Sequence, residues 1–124
     1  MEEIKFVEEP DSYYVSEAFI AHISNVNSKE DLLKQIGESL HFPKYYGFNW
    51  DALSECLKDL SWITQKNVVI VHDKTFAFEE TVFKSYFQVL LDATETWKLS
   101  DEHFIQIVFP ECSEILVRSI INDL

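Results

Sequence analysis

The chain is poor in glycine and cysteine, with two of each among 124 residues. Two glycines cannot build a glycine-rich phosphate loop, which excludes nucleotide binding of that kind. Gly-x-Ser-x-Gly is absent, and with it the nucleophile elbow of one large hydrolase class. No Cys-x-x-Cys occurs, so zinc and dithiol redox chemistry have no support. Of the two cysteines, Cys56 and Cys112, the first falls on the apolar arc of an expected helix. A buried free thiol is therefore expected rather than a disulfide, which fits a reducing cytoplasm. No apolar run approaches the roughly 18 residues of a membrane span. The start, Met-Glu-Glu-Ile-Lys-Phe, lacks the basic-then-apolar form of a signal peptide. Basic residues are scarce too: 10 against 22 acids, a formal net charge of −12. Such a charge repels phosphates, so neither nucleic acid nor an anionic membrane is expected as a partner, and a basic one is.

Hydrophobic residues make up 47% of the chain, enough for a globular protein and a single domain of ordinary size. His22, His41, His72 and His103 are scattered, with no ligand partner at helical or turn spacing. Structural or surface roles are expected for them, with no metal and no cofactor. With 22 acids, chance carboxylate pairs are certain, so acid count alone carries no glycosidase reading. The chain is not expected to be an enzyme.

Residues 1–17 are acidic and aromatic, with a turn at Pro10-Asp11, and are expected as an N-terminal extension packed on the domain. Short apolar segments at 18–23, 68–72 and 104–109 read as strands. The run Val68-Val-Ile-Val-His72 is typical of a strand covered on both faces. Ser28-Lys-Glu-Asp31 resembles a capping box, with Asp where Glu or Gln is usual. A helix follows with Leu32, Leu33, Ile36 and Leu40 on one face, and Gly37 inside it suits close packing against a neighbour. Thr75–Glu80 is expected as a short turn or helix. From Val82 to Lys98 the period is helical, with Phe83, Phe87, Leu90, Leu91, Thr94 and Trp97 on one side. A last amphipathic helix is expected over Ser113–Ile121. Strands separated by helical segments imply an α/β fold, a three-stranded parallel sheet packed with helices.

The most informative stretch is 42–60, an aromatic loop feeding a helix. Asn49 is placed to cap the helix and Phe48 to staple onto Leu53. At about 100° per residue, Leu53, Cys56, Leu57 and Leu60 share one arc. Asp51, Ser54, Glu55 and Lys58 share the opposite one, with Asp59 at its edge. Asp51 and Glu55 stand at i and i+4, a like-charge spacing that costs a few tenths of a kcal/mol in a helix. Lys58 is placed to relieve part of this through Glu55, and a basic partner would turn the rest into attraction. Tyr45, Tyr46 and Trp50 either pack the loop or meet that partner. Ribonucleases surround the scissile phosphate with cations, and an acidic helix can fill such a site in place of phosphates.

Residues 40–57, Leu-His-Phe-Pro-Lys-Tyr-Tyr-Gly-Phe-Asn-Trp-Asp-Ala-Leu-Ser-Glu-Cys-Leu, resemble the signature of the barstar family of intracellular ribonuclease inhibitors. The matching pattern is Tyr-Tyr-Gly-x-Asn-x-Asp-Ala-Leu followed by an acid, Cys and Leu. The resemblance implies a barstar-like domain over 18–124, ending in a C-terminal helical extension. It implies that Tyr45, Gly47, Asn49 and Asp51 lie at the family's inhibitory surface. Glu55 stands where the family has its central inhibitory aspartate, one methylene longer. Ser54 replaces the tryptophan before that acid, and Asp92 corresponds to an acid on the family's penultimate helix. The implied partner is a basic secreted nuclease, a ribonuclease, bound in the cytoplasm of the producing cell. Tight binding to the nuclease of the family's type member is not expected, because of the changes at Ser54 and Glu55. The alternatives are an immunity protein against a toxin of different chemistry, such as a deoxyribonuclease, and an acidic interaction module without a nuclease partner.

Overall fold

The computed structural model describes residues 3–24, 26–74 and 79–124. The strands are β1 (Ile4–Val7), β2 (Phe19–Ile23), β3 (Asn67–His72) and β4 (Phe104–Pro110). The helices are α1 (Lys29–Ser39), α2 (Trp50–Asp59), α3 (Glu80–Trp97) and α4 (Glu114–Asn122). One sheet has the order β1-β4-β3-β2, parallel at every pairing. Three strands fall where the apolar segments place them, and the sheet gains a fourth. Ile4–Val7 pairs with β4, in register Ile4↔Ile107, so residues expected only to pack on the domain also extend its sheet. Four residues with Lys5 exposed among them form too short a run for alternation to announce. The turn expected at Thr75–Glu80 falls mostly on residues 75–78, outside the described residues.

Parallel strands need crossovers, and here the crossovers cover both faces. Ala21, Ile23, Val68, Ile70, Ile105, Ile107 and Phe109 join the helices in the main core. On the other face Val69, Val71 and Val108 meet Val7, Tyr13, Val15, Ala18 and Ile20. β1 and β2 lie at opposite edges of the sheet, so residues 8–18 must cross this second face to connect them. A 3-10 turn at Pro10–Ser12 starts that strap, and the Tyr13 hydroxyl donates to Gln106 Oε1 at 2.7 Å. This is why β3 is apolar at every position from Val68 to Val71.

β3 ends on a histidine that the core holds neutral. His72 is fully buried and stacks on Phe109, with ring centroids 4.1 Å apart. A carbonyl only accepts, so Nδ1–H donates to Val108 O (2.9 Å) and Nε2 accepts from the Tyr86 hydroxyl (2.6 Å). Burial pushes the imidazole down to about 4, opposed by the Val108 bond.

Glycine scarcity leaves its mark on the backbone. Among the described residues the left-handed positions are Glu17, His41, Phe48 and Leu60, and no glycine takes one. Each costs on the order of 1 kcal/mol, which surrounding packing must offset. Gly37 serves close approach instead. A Cβ there would lie 2.8 Å from Tyr46 Cε2, and the Tyr46 hydroxyl donates to Leu33 O at 2.9 Å.

Three outcomes follow from this packing. An NMR titration should find the His72 ring neutral until pH nears 4. Its folded pKa lies below the unfolded value of about 6.5, so its stabilisation is complete above pH ~6.5 and is lost as pH falls toward 4, amounting to roughly 3 kcal/mol. Urea midpoints should drop across that window in the parent and drop less in His72→Gln. Gly37→Ala should destabilise by about 1–3 kcal/mol through overpacking, despite its gain of about 1 kcal/mol in helix propensity; a higher urea midpoint would contradict the Tyr46 contact. Neither cysteine is in a disulfide; Cys112 is exposed and Cys56 buried, with its thiol pushed up by burial. A thiol reagent should therefore modify Cys112 in the native protein and Cys56 only on unfolding.

Candidate functional site

α2 begins as its sequence dictates. Asn49 has extended backbone and its Oδ1 accepts from Ala52 N at 2.8 Å. Gly47 O accepts from Asn49 Nδ2 at 3.4 Å. Leu53, Cys56 and Leu57 are buried, as is Leu60 just past the last turn. Each such leucine contributes on the order of 1.5–3 kcal/mol. Phe48 departs from expectation. It enters the helix at φ 55°, lies against Tyr46 with centroids 4.7 Å apart, and is 58% exposed. It therefore adds little as a staple on Leu53.

The far end of α2 is clamped rather than glycine-capped. Leu60 is left-handed and its N–H donates to Cys56 O. Trp97 Nε1 on α3 donates to Leu57 O at 2.7 Å, satisfying a last-turn carbonyl that the helix leaves open. Trp62 Nε1 does the same for Leu40 O at the end of α1 (2.8 Å). One indole thus holds the end of the helix that carries the acidic residues, and the other ties the chain just beyond it to α1.

Asp51, Glu55 and Asp59 are exposed along one side of α2, at i, i+4 and i+8. Ser54 is half-buried beside them. Tyr45 is 64% exposed, and its hydroxyl donates to Asp59 Oδ2 at 3.0 Å. That bond, with smaller contributions from desolvation and the nearby carboxylates, raises the phenol's pKa. Tyr45, Glu55, Lys58 and Asp59 line one shallow open depression. Lys58 does not relieve Glu55 as its spacing suggests. Its Nζ pairs with Asp92 Oδ2 at 2.5 Å, which ties α2 to α3 and neutralises that acid.

The expected contact residues therefore divide. Tyr45, Gly47, Asn49, Asp51, Glu55 and Asp59 are exposed on the loop and α2. Tyr46 is a correction: it is 5% exposed, bonded to Leu33 O and packed on Phe42, so it is framework with almost no surface to offer. Trp50 is half-buried against the core, its ring 6.4 Å from Tyr86 and under Lys29 Nζ at 5.6 Å. Asp92 is exposed but already paired. Sequence spacing could not reveal the Lys58–Asp92 or Tyr45–Asp59 pairs, because both join separate elements. Among the described residues no His, Cys, Asp and Glu cluster could hold a metal ion, and no helix is long and apolar enough to cross a membrane. The surface offers carboxylates and a phenol at fixed spacing, groups whose chemistry suits cations and hydrogen-bond donors.

No curated protein and no solved structure matches the chain. Residues 17–109, from the end of the strap through all but the last residue of β4, match the family model described as "Barstar (barnase inhibitor)". With that match spanning most of its length and the signature loop and helix inside it, the chain belongs to the barstar family.

Proposed function

We propose that this chain inhibits a basic ribonuclease in the cytoplasm of the cell that produces it, covering the active site with α2 and the loop before it. The observation that carries this reading is the exposed row Asp51, Glu55 and Asp59 beside exposed Tyr45, on a helix whose other side is fully buried. A ribonuclease holds the scissile phosphate with cations. Glu55 and Asp51 face those cations in place of phosphates, and water is excluded as the aromatic loop closes on the rim. No chemistry by this chain and no cofactor are involved.

The helix termini favour this division of labour. Asp51 lies in the first turn, where the positive end of α2 holds its charge. Glu55 lies mid-helix with no ion pair among the described residues, so a partner cation meets it without displacing an internal one. Asp92 differs, because Lys58 must be displaced first. Glu55 is therefore the strongest candidate for the central contact. The net charge of −12 adds long-range steering toward a basic partner.

The test is inhibition of purified nucleases by the purified chain, with RNA and DNA cleavage read separately. The panel comprises barnase and any basic nuclease-like domain encoded beside this chain's gene. RNA cleavage should be blocked by at least one of these pairings; inhibition confined to DNA cleavage would overturn the ribonuclease reading. Against an inhibited nuclease, Glu55→Ala should cost about 2–5 kcal/mol, since truncation leaves buried cations unpaired. Glu9→Ala, an exposed acid at the start of the strap, should cost far less. Equal losses would leave only bulk acidity as the explanation. Raising salt should slow association more than it speeds dissociation, because steering is screened over roughly 8–10 Å.

A further inference from the structure

We infer that a second surface, on the other side of the same aromatic loop, binds an acidic segment of the nuclease that presents a bulky apolar side chain. The inference rests on the inhibitor reading above and adds to it a partner chemistry of opposite sign. An open groove runs between α1 and the loop. Gly37 and the nearly buried Tyr46 lie beneath it, and half-buried Phe42 and exposed Phe48 contribute the aromatic surface. Lys34 and Lys44 line it, with Glu38 the carboxylate among its lining residues. Both lysines are exposed, and among the described residues neither is in an ion pair. In a chain with 10 basic residues against 22 acids, two unpaired lysines at one apolar groove form a local inversion of charge. That inversion sets the sign of the occupant.

Phe48 is the second observation. It holds a left-handed backbone at φ 55° while 58% of it stays in water. For a bulky residue this conformation is strained by on the order of 1 kcal/mol. Packing on Tyr46 offsets that cost only in part, with most of the ring still in water. Covering the ring when a partner docks adds burial that the free chain does not have, with the backbone unchanged. Gly47 and Asn49 on either side of it belong to the exposed loop that leads into α2, so one loop borders both the groove and the acidic helix. Carboxylates on α2 and lysines at the groove make the surface two-signed. A partner must then match both signs, which fixes its orientation and rejects nucleases that are merely basic.

The probe is the acetylated, amidated tripeptide Asp-Phe-Asp, titrated into the full chain and followed by amide NMR shifts, with Lys-Phe-Lys as the charge-reversed control. Asp-Phe-Asp should shift the Gly37 and Phe48 amides saturably, and Lys-Phe-Lys should not. The shifts should vanish in the double variant Lys34→Glu, Lys44→Glu and persist in Glu55→Ala. Absence of shifts at Gly37 and Phe48, or equal response to both peptides, overturns the groove. Phe48→Asn, which tolerates the left-handed backbone, should keep the parent's thermal midpoint and lose the peptide response; an unchanged response overturns the role of Phe48. In the nuclease assay the double lysine reversal makes the chain more acidic, so bulk charge alone would tighten inhibition. The groove instead requires inhibition to weaken about tenfold. Tighter inhibition together with full dependence on Glu55 overturns the groove and leaves the plug standing, whereas loss of Glu55 dependence with an intact peptide response overturns the plug alone.

Discussion

The seating of Tyr46 against Gly37 is the contact on which the binding face depends. The ring occupies the space a Cβ would fill on α1, and its hydroxyl uses the second acceptor site of a helical carbonyl, Leu33 O. Phe42 and Phe48 pack on the same ring, at 4.8 and 4.7 Å between centroids. Without that seat the loop from 42 to 48 keeps its backbone bond from Phe42 N to Gly37 O and the Phe42–Trp62 contact but loses its one buried anchor. With it, Asn49 arrives in extended geometry to cap α2, and the acidic row starts at a defined place. One buried tyrosine thereby positions an exposed tyrosine, a cap and three carboxylates. Protein interiors are close-packed and transmit strain, so a methyl group at Gly37 is felt at the surface.

The acidic rod is fixed at its other end by different chemistry. With two glycines in the chain, helix ends cannot rely on glycine caps. Leu60 and His41 adopt left-handed backbone in their place, and the Trp97 and Trp62 indoles donate to last-turn carbonyls. These bonds are made in or near the core, where leaving a carbonyl unpaired costs about 1–3 kcal/mol. The surface ion pairs are weaker devices. Lys84–Asp123 and Arg118–Glu114 are solvent-exposed and contribute little to stability. Lys58–Asp92 matters more for what it occupies than for its strength, because it removes one acid from the set facing a partner.

The sheet shows how a short extension becomes structural. Residues 8–18 lie over Val69, Val71 and Val108, which would otherwise face water. Burying that face lets β3 be apolar throughout and lets His72 stay neutral between Phe109, Val108 and Tyr86. The strap and β1 mostly precede the family match at residue 17, yet they complete a layer of the fold.

The sequence by itself determined the elements whose cause is local. The Asn49 cap, the buried arc of Leu53, Cys56 and Leu57, the Ser28 cap with its bond from Asp31 N, and the three apolar strands were all legible. So was the acidic face of α2, because helical periodicity assigns residues to sides without knowing the neighbours. Only the tertiary structure decided what depends on which elements meet. It placed β1 beside β4, aimed Lys58 at Asp92 instead of Glu55, joined Tyr45 to Asp59, buried Tyr46 and left Phe48 in water. Spacing along a helix ranks possible partners, but a lysine's long stem reaches whichever carboxylate the packing brings near. Two adjacent tyrosines are chemically the same until the fold turns one into α1 and the other toward solvent.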